Sequence, residues 1–96
     1  MKLIYAPESI EDLERLREFI AEKNPAAAER ISRELLKGIQ NLKQFPHLGV
    51  EVPKAPDPRR VRDLVVDRYV VRYLVMDTAI YVLRIWHHKE DWPSGR

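Results

Sequence analysis

The last third of the chain contains three consecutive runs of β-branched and aromatic residues, and this feature constrains the fold most. The runs are residues 61–66, 69–76 and 79–86, separated by two-residue polar breaks at Asp67-Arg68 and Asp77-Thr78. Such runs joined by two-residue turns are typical of antiparallel hairpins. We therefore predict a three-stranded antiparallel sheet, which at this size needs other elements to cover its apolar face.

The first half of the chain supplies this cover as two amphipathic helices. Asn24-Pro25 separates them, because asparagine is a preferred N-cap and proline suits the first helical position. We predict helices from Pro7 to about residue 22 and from Pro25 to about residue 44, packed as an antiparallel hairpin. Their apolar residues recur at helical spacing, and the predicted buried stripes are Ile10, Leu13, Leu16 and Ile20, then Ala28, Ile31, Leu35, Ile39 and Leu42.

Three shorter features complete the predicted topology. Lys2–Tyr5 is an apolar run stopped by Pro7, and we expect it to add an edge strand to the sheet. Residues 47–58 contain three prolines and one glycine, which predicts a loop. Gly38 lies inside the second helix, where it is expected to mark a close contact with the first.

The two-residue turns also predict the register of the sheet and therefore its two faces. Arg84 falls awkwardly on the apolar side, so either a bulge re-aims it or its stem crosses apolar surface to reach solvent. The apolar face is predicted to hold Leu64, Val66, Val71, Tyr73, Val75, Ile80 and Val82. The opposite face is the candidate working surface and holds Val61, Asp63, Arg72, Tyr81 and His87, with Asp63 and Arg72 as a cross-strand ion pair.

Composition limits the class of protein. Ninety-six residues suit one domain spanning residues 1–96, and 45% hydrophobic with 33% charged residues is typical of a folded, soluble chain. The absence of cysteine excludes disulfides and fits a reducing cytoplasm, and no run is apolar enough for a secretory signal or a membrane span. The three histidines lack metal-site spacing, so we expect neither a metal nor a cofactor. We expect a cytoplasmic protein without membrane association.

Charge is unevenly placed along the chain. The net charge is only +2, but residues 54–72 carry six basic and three acidic side chains. That segment is suited to phosphates or to an acidic partner. No RNA-binding signature accompanies it, and we expect no sequence-specific DNA binding by this chain alone.

Several segments together resemble the RelE/ParE toxin superfamily of type II toxin–antitoxin systems. In the helical half they are the start of the first helix at residues 6–13, the interhelical turn at 24–28 and the Phe-Pro-x-Leu-Gly segment after the second helix at 45–49. In the β-rich third they are the strands at 70–73 and 83–87, the second of which ends in Arg-x-x-His. The likeness spans nearly the entire chain. It implies an α+β fold in which an N-terminal strand and an antiparallel helical hairpin pack on a small antiparallel sheet.

The resemblance implies two different activities in bacteria. RelE-like and YoeB-like members cleave messenger RNA inside the ribosome, and in that case His87 would be catalytic while Arg84 and Arg72 would hold the phosphate. The loop before the sheet offers only Glu51, Lys54, Arg59 and Arg60, which do not match the basic or acidic sets of those members. We therefore expect a ParE-like plasmid-stabilization toxin that inhibits DNA gyrase. A ribosome-dependent messenger RNA endonuclease and a non-toxic antitoxin-binding relative are the alternatives.

The resemblance also implies a cognate antitoxin that wraps around the hairpin and the sheet. Its binding requires an apolar groove between the helices and the sheet edge, although each candidate apolar residue could instead complete the core. The candidate contacts for antitoxin or target are Leu16, Phe19, Leu36, Phe45, Arg59, Arg60 and Trp92.

Overall fold

The chain folds as two helices packed on one face of a five-stranded sheet. A computed structural model describes residues 1–89 of the 96-residue chain, so Trp92 lies outside the described residues. Neither helix in this part has the length and apolar character needed to cross a bilayer. In chain order the elements are β1 (Lys2–Tyr5), α1 (Pro7–Lys23), α2 (Pro25–Asn41), β2 (Val50–Glu51), β3 (Val61–Val66), β4 (Tyr69–Val75) and β5 (Ala79–His87).

The sheet has the strand order β1-β5-β4-β3-β2. Neighbouring strands are antiparallel except for β1, which pairs with β5 in parallel at the edge of the sheet. The predicted α+β architecture is confirmed, including the edge position of Lys2–Tyr5. The two-residue strand β2 lies inside the predicted loop, and so short a segment carries no periodic signal in the sequence.

The two hairpins have the predicted registers up to one irregularity. Val66 pairs with Tyr69 and Val75 pairs with Ile80, as the two-residue turns require. Asp67 opens the first turn with a φ of 56°, the left-handed conformation that such turns use. Tyr73 pairs with Val82, whereas the adjacent residue on β4, Arg72, pairs with Arg84. Leu83 is therefore one extra residue in β5, and it forms a β-bulge.

The bulge overturns the predicted position of His87. Beyond it the register shifts by one residue, so that His87 pairs with Tyr69. Tyr69 shares a face with Val71 and Tyr73, which are buried against the helices. His87 therefore lies on this helix face, and its predicted place on the opposite, open face beside Asp63 and Arg72 is wrong.

The core lies between the helices and the helix face of the sheet. The predicted stripe of α2 is confirmed, with Ile31 only partly buried. In α1, Leu16 is buried, whereas Ile10 is 47% exposed and its predicted burial is wrong. The buried members of the core cluster come from both layers: Leu16, Leu35, Ile39, Leu42, Leu64, Tyr69, Val71, Tyr73, Val75, Ile80, Val82 and Ile85.

The first turns of α1 face the sheet with polar residues instead of Ile10. Ser9 is fully buried, and its hydroxyl donates a hydrogen bond of 2.7 Å to the Ala6 carbonyl. Asp12 is 3% exposed and receives hydrogen bonds from β5. A buried polar side chain is stable only when it is hydrogen-bonded. With these hydrogen bonds formed, α1 is oriented so that Ser9 and Asp12 are buried and Ile10 is exposed.

The second helix begins as predicted but ends earlier. The Asn24 side chain accepts a hydrogen bond of 3.1 Å from the Ala27 amide and caps the helix. The helix ends at Asn41 and passes into a turn, three residues before the predicted end. A Cβ added at Gly38 would lie 2.9 Å from Cγ2 of Val66, so this glycine allows close approach to β3, and the predicted contact with α1 is wrong.

Candidate functional sites

Asp12 forms a buried polar centre between α1 and β5. Its carboxylate accepts hydrogen bonds of 2.9 and 3.2 Å from Nε and Nη2 of Arg84, and one of 2.9 Å from the Ile85 amide. Because the pairing of β1 ends opposite Val82, Asp12 serves as the hydrogen-bond partner of β5 where β1 does not reach. The two alternatives predicted for Arg84 are a bulge and a side chain that crosses apolar surface to reach solvent. The bulge is confirmed, and the Arg84 guanidinium forms an ion pair with Asp12.

His87 lies in a groove between α1 and the end of the β4–β5 hairpin. This helix-side groove has a volume of about 480 Å³ and is lined by Arg15, Leu16, Phe19, Tyr69, His87 and Lys89. The His87 ring meets the Tyr69 ring edge to face at 5.2 Å, and its Nδ1 accepts a hydrogen bond of 3.1 Å from the Lys89 amide. The groove therefore combines an apolar floor with cationic side chains at its rim.

Arg72 lies on the open face, in the ion pair predicted with Asp63. Nε and Nη2 each donate a hydrogen bond of 2.9 Å to one oxygen of the Asp63 carboxylate. These hydrogen bonds raise the pKa of Arg72, which remains a cation. The guanidinium also lies 5.2 Å from the centre of the Trp86 ring, a cation–π contact.

The three candidate catalytic residues do not share one site. His87 is on the helix face, Arg72 is on the open face, and Arg84 is bound to Asp12. Proton transfer and phosphate binding in one reaction require groups within hydrogen-bond reach of the same substrate. The bulge is the reason for the separation, because it moves His87 to the side opposite Arg72.

The remaining candidate contacts are dispersed over the surface. Leu36 borders a small cavity of about 160 Å³ between the helices, and Phe45 is 54% exposed in the turn after α2. Arg59 and Arg60 line a cleft of about 460 Å³ at one end of the sheet. Within that cleft Arg60 pairs with Asp57 at 3.3 Å, which leaves Arg59 as the more available cation.

The Phe-Pro-x-Leu-Gly segment that follows α2 is held against the sheet by hydrogen bonds with Tyr73. The Tyr73 hydroxyl donates a hydrogen bond of 2.8 Å to the Pro46 carbonyl and accepts one of 2.8 Å from the Gly49 amide. Burial raises the pKa of Tyr73. A Cβ on Gly49 would lie 2.8 Å from the Asp63 carbonyl oxygen, so only glycine fits without a backbone shift. The sequence predicts only that Tyr73 lies on the apolar face, and no local signal indicates these hydrogen bonds.

A second groove, absent from the sequence predictions, lies on the open face. This open-face groove has a volume of about 640 Å³ and is lined by residues 52–56 together with Val61, Arg72 and Leu83. In the sequence, the cluster of prolines in the loop is the one feature that indicates this groove. Among residues 1–89, no group of three or more His, Asp or Glu side chains is arranged to hold a metal ion.

This arrangement of helices and sheet is the fold of the small toxins of the RelE/ParE superfamily. A structure described as the chromosomal ParDE toxin–antitoxin system from P. aeruginosa matches with a TM-score of 0.76 and 21% identity, covering 91% of this chain and 95% of that one. A conserved hypothetical protein from Helicobacter pylori matches with a TM-score of 0.59 and 19% identity, covering 94% of this chain and 97% of that one.

Sequence comparison identifies the family. The model of the ParE toxin of the type II toxin–antitoxin system parDE matches residues 3–92, and the chain belongs to this family. Toxin RelE2 of Caulobacter vibrioides is 29% identical over 87 residues, which are 90% of this chain and 93% of the relative. Toxin RelE1 of the same organism is 31% identical over 81 residues, 83% of this chain and 85% of the relative. Membership implies a cognate antitoxin as partner.

Proposed function

We propose that this chain inhibits DNA gyrase through protein–protein contact and that a cognate antitoxin holds it inactive. The observation that carries the proposal is the separation of His87, on the helix face, from Arg72 and Arg84, which are cross-strand partners and are each held by a carboxylate. Cleavage of RNA needs a proton acceptor, a proton donor and a cation around one phosphate. A contact inhibitor needs only a complementary surface.

The centre of the open face supports the same proposal. There Asp63 and Arg72 form an ion pair through two hydrogen bonds. Using Asp63 as a proton acceptor would break this pair, and Arg72 is too basic to exchange protons near neutral pH. Such a surface is better suited to binding than to acid–base chemistry.

One observation favours the endonuclease as a second candidate. His87 is only partly buried, and it shares the helix-side groove with Arg15 and Lys89. A histidine beside two cations could transfer a proton near a bound phosphate. This candidate places the chemistry on the helix face, without Arg72.

One paired experiment separates the two candidates. The chain is produced without antitoxin, plasmid supercoiling by purified gyrase is measured in its presence, and messenger RNA ends are mapped in the same cells. Lost supercoiling with intact transcripts supports gyrase inhibition, whereas codon-phased cleavage with normal supercoiling supports the endonuclease. Continued growth with neither effect contradicts both and leaves a non-toxic relative that binds an antitoxin.

The substitution His87→Ala sharpens this experiment. If the chain inhibits gyrase by contact, the supercoiling assay should show unchanged inhibition, because His87 is then a groove residue without chemistry. If the chain is an endonuclease, loss of a general acid or base should slow cleavage about 10²- to 10⁴-fold. His47→Ala, in the exposed turn after α2, is the matched control. Circular dichroism checks that both variants are folded.

For the antitoxin, we propose the helix-side groove as a docking surface. Phe19 is 58% exposed at the groove, above a floor that includes the buried side chains of Leu16 and Tyr69. The Lys23 ammonium lies 5.1 Å from the centre of the Phe19 ring. An aromatic side chain bordered by cations suits a partner segment that has an apolar anchor and carboxylates beside it.

The substitution Phe19→Ala tests this surface. We expect the dissociation constant of the antitoxin complex to rise about 30-fold, which corresponds to about 2 kcal/mol, because central aromatic contacts dominate interfaces. The free energy of unfolding should hardly change, since Phe19 is exposed. Val65→Ala is the control, because Val65 is 64% exposed on the open face. Equal affinity of both variants for the antitoxin, measured by titration calorimetry, would rule out the helix-side groove.

A further inference from the structure

The open-face groove lies on the side of the sheet opposite the helix-side groove. Its wall is the loop at residues 52–56, and its floor includes Val61 and Leu83. We infer that this groove binds an extended segment of the target protein that carries an apolar side chain next to a carboxylate. The inference rests on the proposed function, because it assigns the surface through which gyrase is contacted.

The wall of the groove is ordered before any partner binds. The Val52 amide donates to the Val61 carbonyl and the Ala55 amide donates to the Val52 carbonyl, both at 3.1 Å. Farther along the loop, the amides of Arg60 and Val61 both donate to the Asp57 carbonyl, at 3.0 and 3.1 Å. Prolines in the loop also restrict its backbone. A partner therefore meets a preformed surface and loses little free energy in ordering it.

The floor of the groove is apolar because of the bulge. Leu83 is the extra residue of β5 and has no cross-strand partner on β4. Val61 pairs with Leu74 on the same open face. All three side chains are only partly buried, so they form an apolar strip across the sheet that can accept an apolar side chain.

The groove also carries cationic groups that no acidic residue of the described chain fully neutralises. Lys54 is exposed and forms no ion pair with the described residues. Arg72 uses Nε and Nη2 for Asp63, and its Nη1 donates no hydrogen bond within residues 1–89. A partner carboxylate would find donors at Lys54 and at Nη1 of Arg72, on either side of the apolar strip.

The lining favours a protein segment over a nucleic acid. Most of the described side chains that line the groove are valine, proline, alanine or leucine, and none of these described residues is aromatic. Binding of single strands relies on aromatic side chains on which bases stack. Trp86, which contacts Arg72, is 6% exposed and offers little surface for stacking.

The test uses Lys54→Glu, which reverses the charge of an exposed side chain that forms no ion pair within residues 1–89. Ala55→Gln is the second variant and extends a side chain into the groove, and Lys37→Glu on α2 is the matched control. We expect Lys54→Glu and Ala55→Gln to weaken inhibition of purified gyrase at least about tenfold, as loss of an interfacial charge contact does. Their affinity for the antitoxin and the potency of Lys37→Glu should equal those of the unsubstituted chain.

Four results would overturn the inference. The first is gyrase inhibition by both groove variants at unchanged potency. The second is loss of antitoxin affinity in Lys54→Glu, which would assign the groove to the antitoxin. The third is messenger RNA cleavage that depends on Lys54, and the fourth is a dimer in solution that Lys54→Glu converts to a monomer.

Failure of the proposed function itself gives a different pattern. In that case the unsubstituted chain does not inhibit gyrase at any concentration, and growth arrest replaces supercoiling as the readout. Toxicity lost in Lys54→Glu but kept in Lys37→Glu would support the groove with another protein target. Toxicity kept in both variants would overturn the groove as well.

Discussion

Replacing Asp12 with alanine is expected to lower the free energy of unfolding by about 3 kcal/mol, because it removes a buried carboxylate that accepts hydrogen bonds from a partly buried arginine and from a strand amide. The lost contacts are the two hydrogen bonds from Arg84 and the one from the Ile85 amide. The value lies at the lower end for a broken buried ion pair, since the Arg84 side chain is 26% exposed and regains some water. Urea unfolding followed by circular dichroism measures the change.

Two further variants separate charge from hydrogen bonding at this position. Asp12→Asn keeps an oxygen acceptor but removes the charge, so its stability should lie between those of the unsubstituted chain and Asp12→Ala. Glu11→Ala, one residue earlier and exposed, should stay within about 0.5 kcal/mol of the unsubstituted chain. If Asp12→Ala were as stable as Glu11→Ala, the carboxylate would have no structural role at the end of β5.

Replacing Tyr73 with alanine is expected to cost about 3–5 kcal/mol, by analogy with the loss of other buried aromatic side chains. Tyr73 is fully buried in the core and connects the exit of α2 with the sheet through Pro46 and Gly49. The substitution therefore removes both the packing of the ring and two hydrogen bonds. Thermal unfolding should show the loss as a large drop in the midpoint.

The variant Tyr73→Phe isolates the hydroxyl group. It keeps the ring but leaves the Gly49 amide without its acceptor, which should cost about 1–3 kcal/mol. The Gly49 amide is buried, so water cannot easily replace the hydroxyl. Stability equal to that of the unsubstituted chain would mean that the exit of α2 is held by packing alone. A loss as large as that of Tyr73→Ala would instead assign the whole effect to the hydroxyl.

The candidate site was predictable only in part, and the misplacement of His87 and the missed open-face groove have one cause. The pair of Asp63 and Arg72 followed from the register of a single hairpin and is present. The face on which His87 lies could not be predicted from the turn alone, because the bulge shifts the register of β5 by one residue. Such a shift moves a strand residue to the opposite face of the sheet. The same bulge places Leu83 in the open-face groove, which the sequence predictions did not contain.

Local signals in the chain were sufficient for the elements and their nearest pairings. The Asn24 cap, the buried stripe of α2 and the two hairpin turns each depend on residues a few positions apart, and all are present as predicted. Their physics is short-range, since caps, turns and helical periodicity act between neighbours in sequence. The family resemblance, also visible in the sequence, agrees with the match to the ParE toxin family over residues 3–92.

Tertiary packing decided the features on which the proposed surfaces depend. Asp12 and Arg84 are 72 residues apart in sequence, and their contact rotates α1 enough to bury Asp12 and expose Ile10. The pairing of β2 with β3 likewise joins segments without a periodic signal of their own. Such contacts depend on which partner satisfies a buried polar group or a free strand edge, and that choice exists only once helices and sheet are packed together.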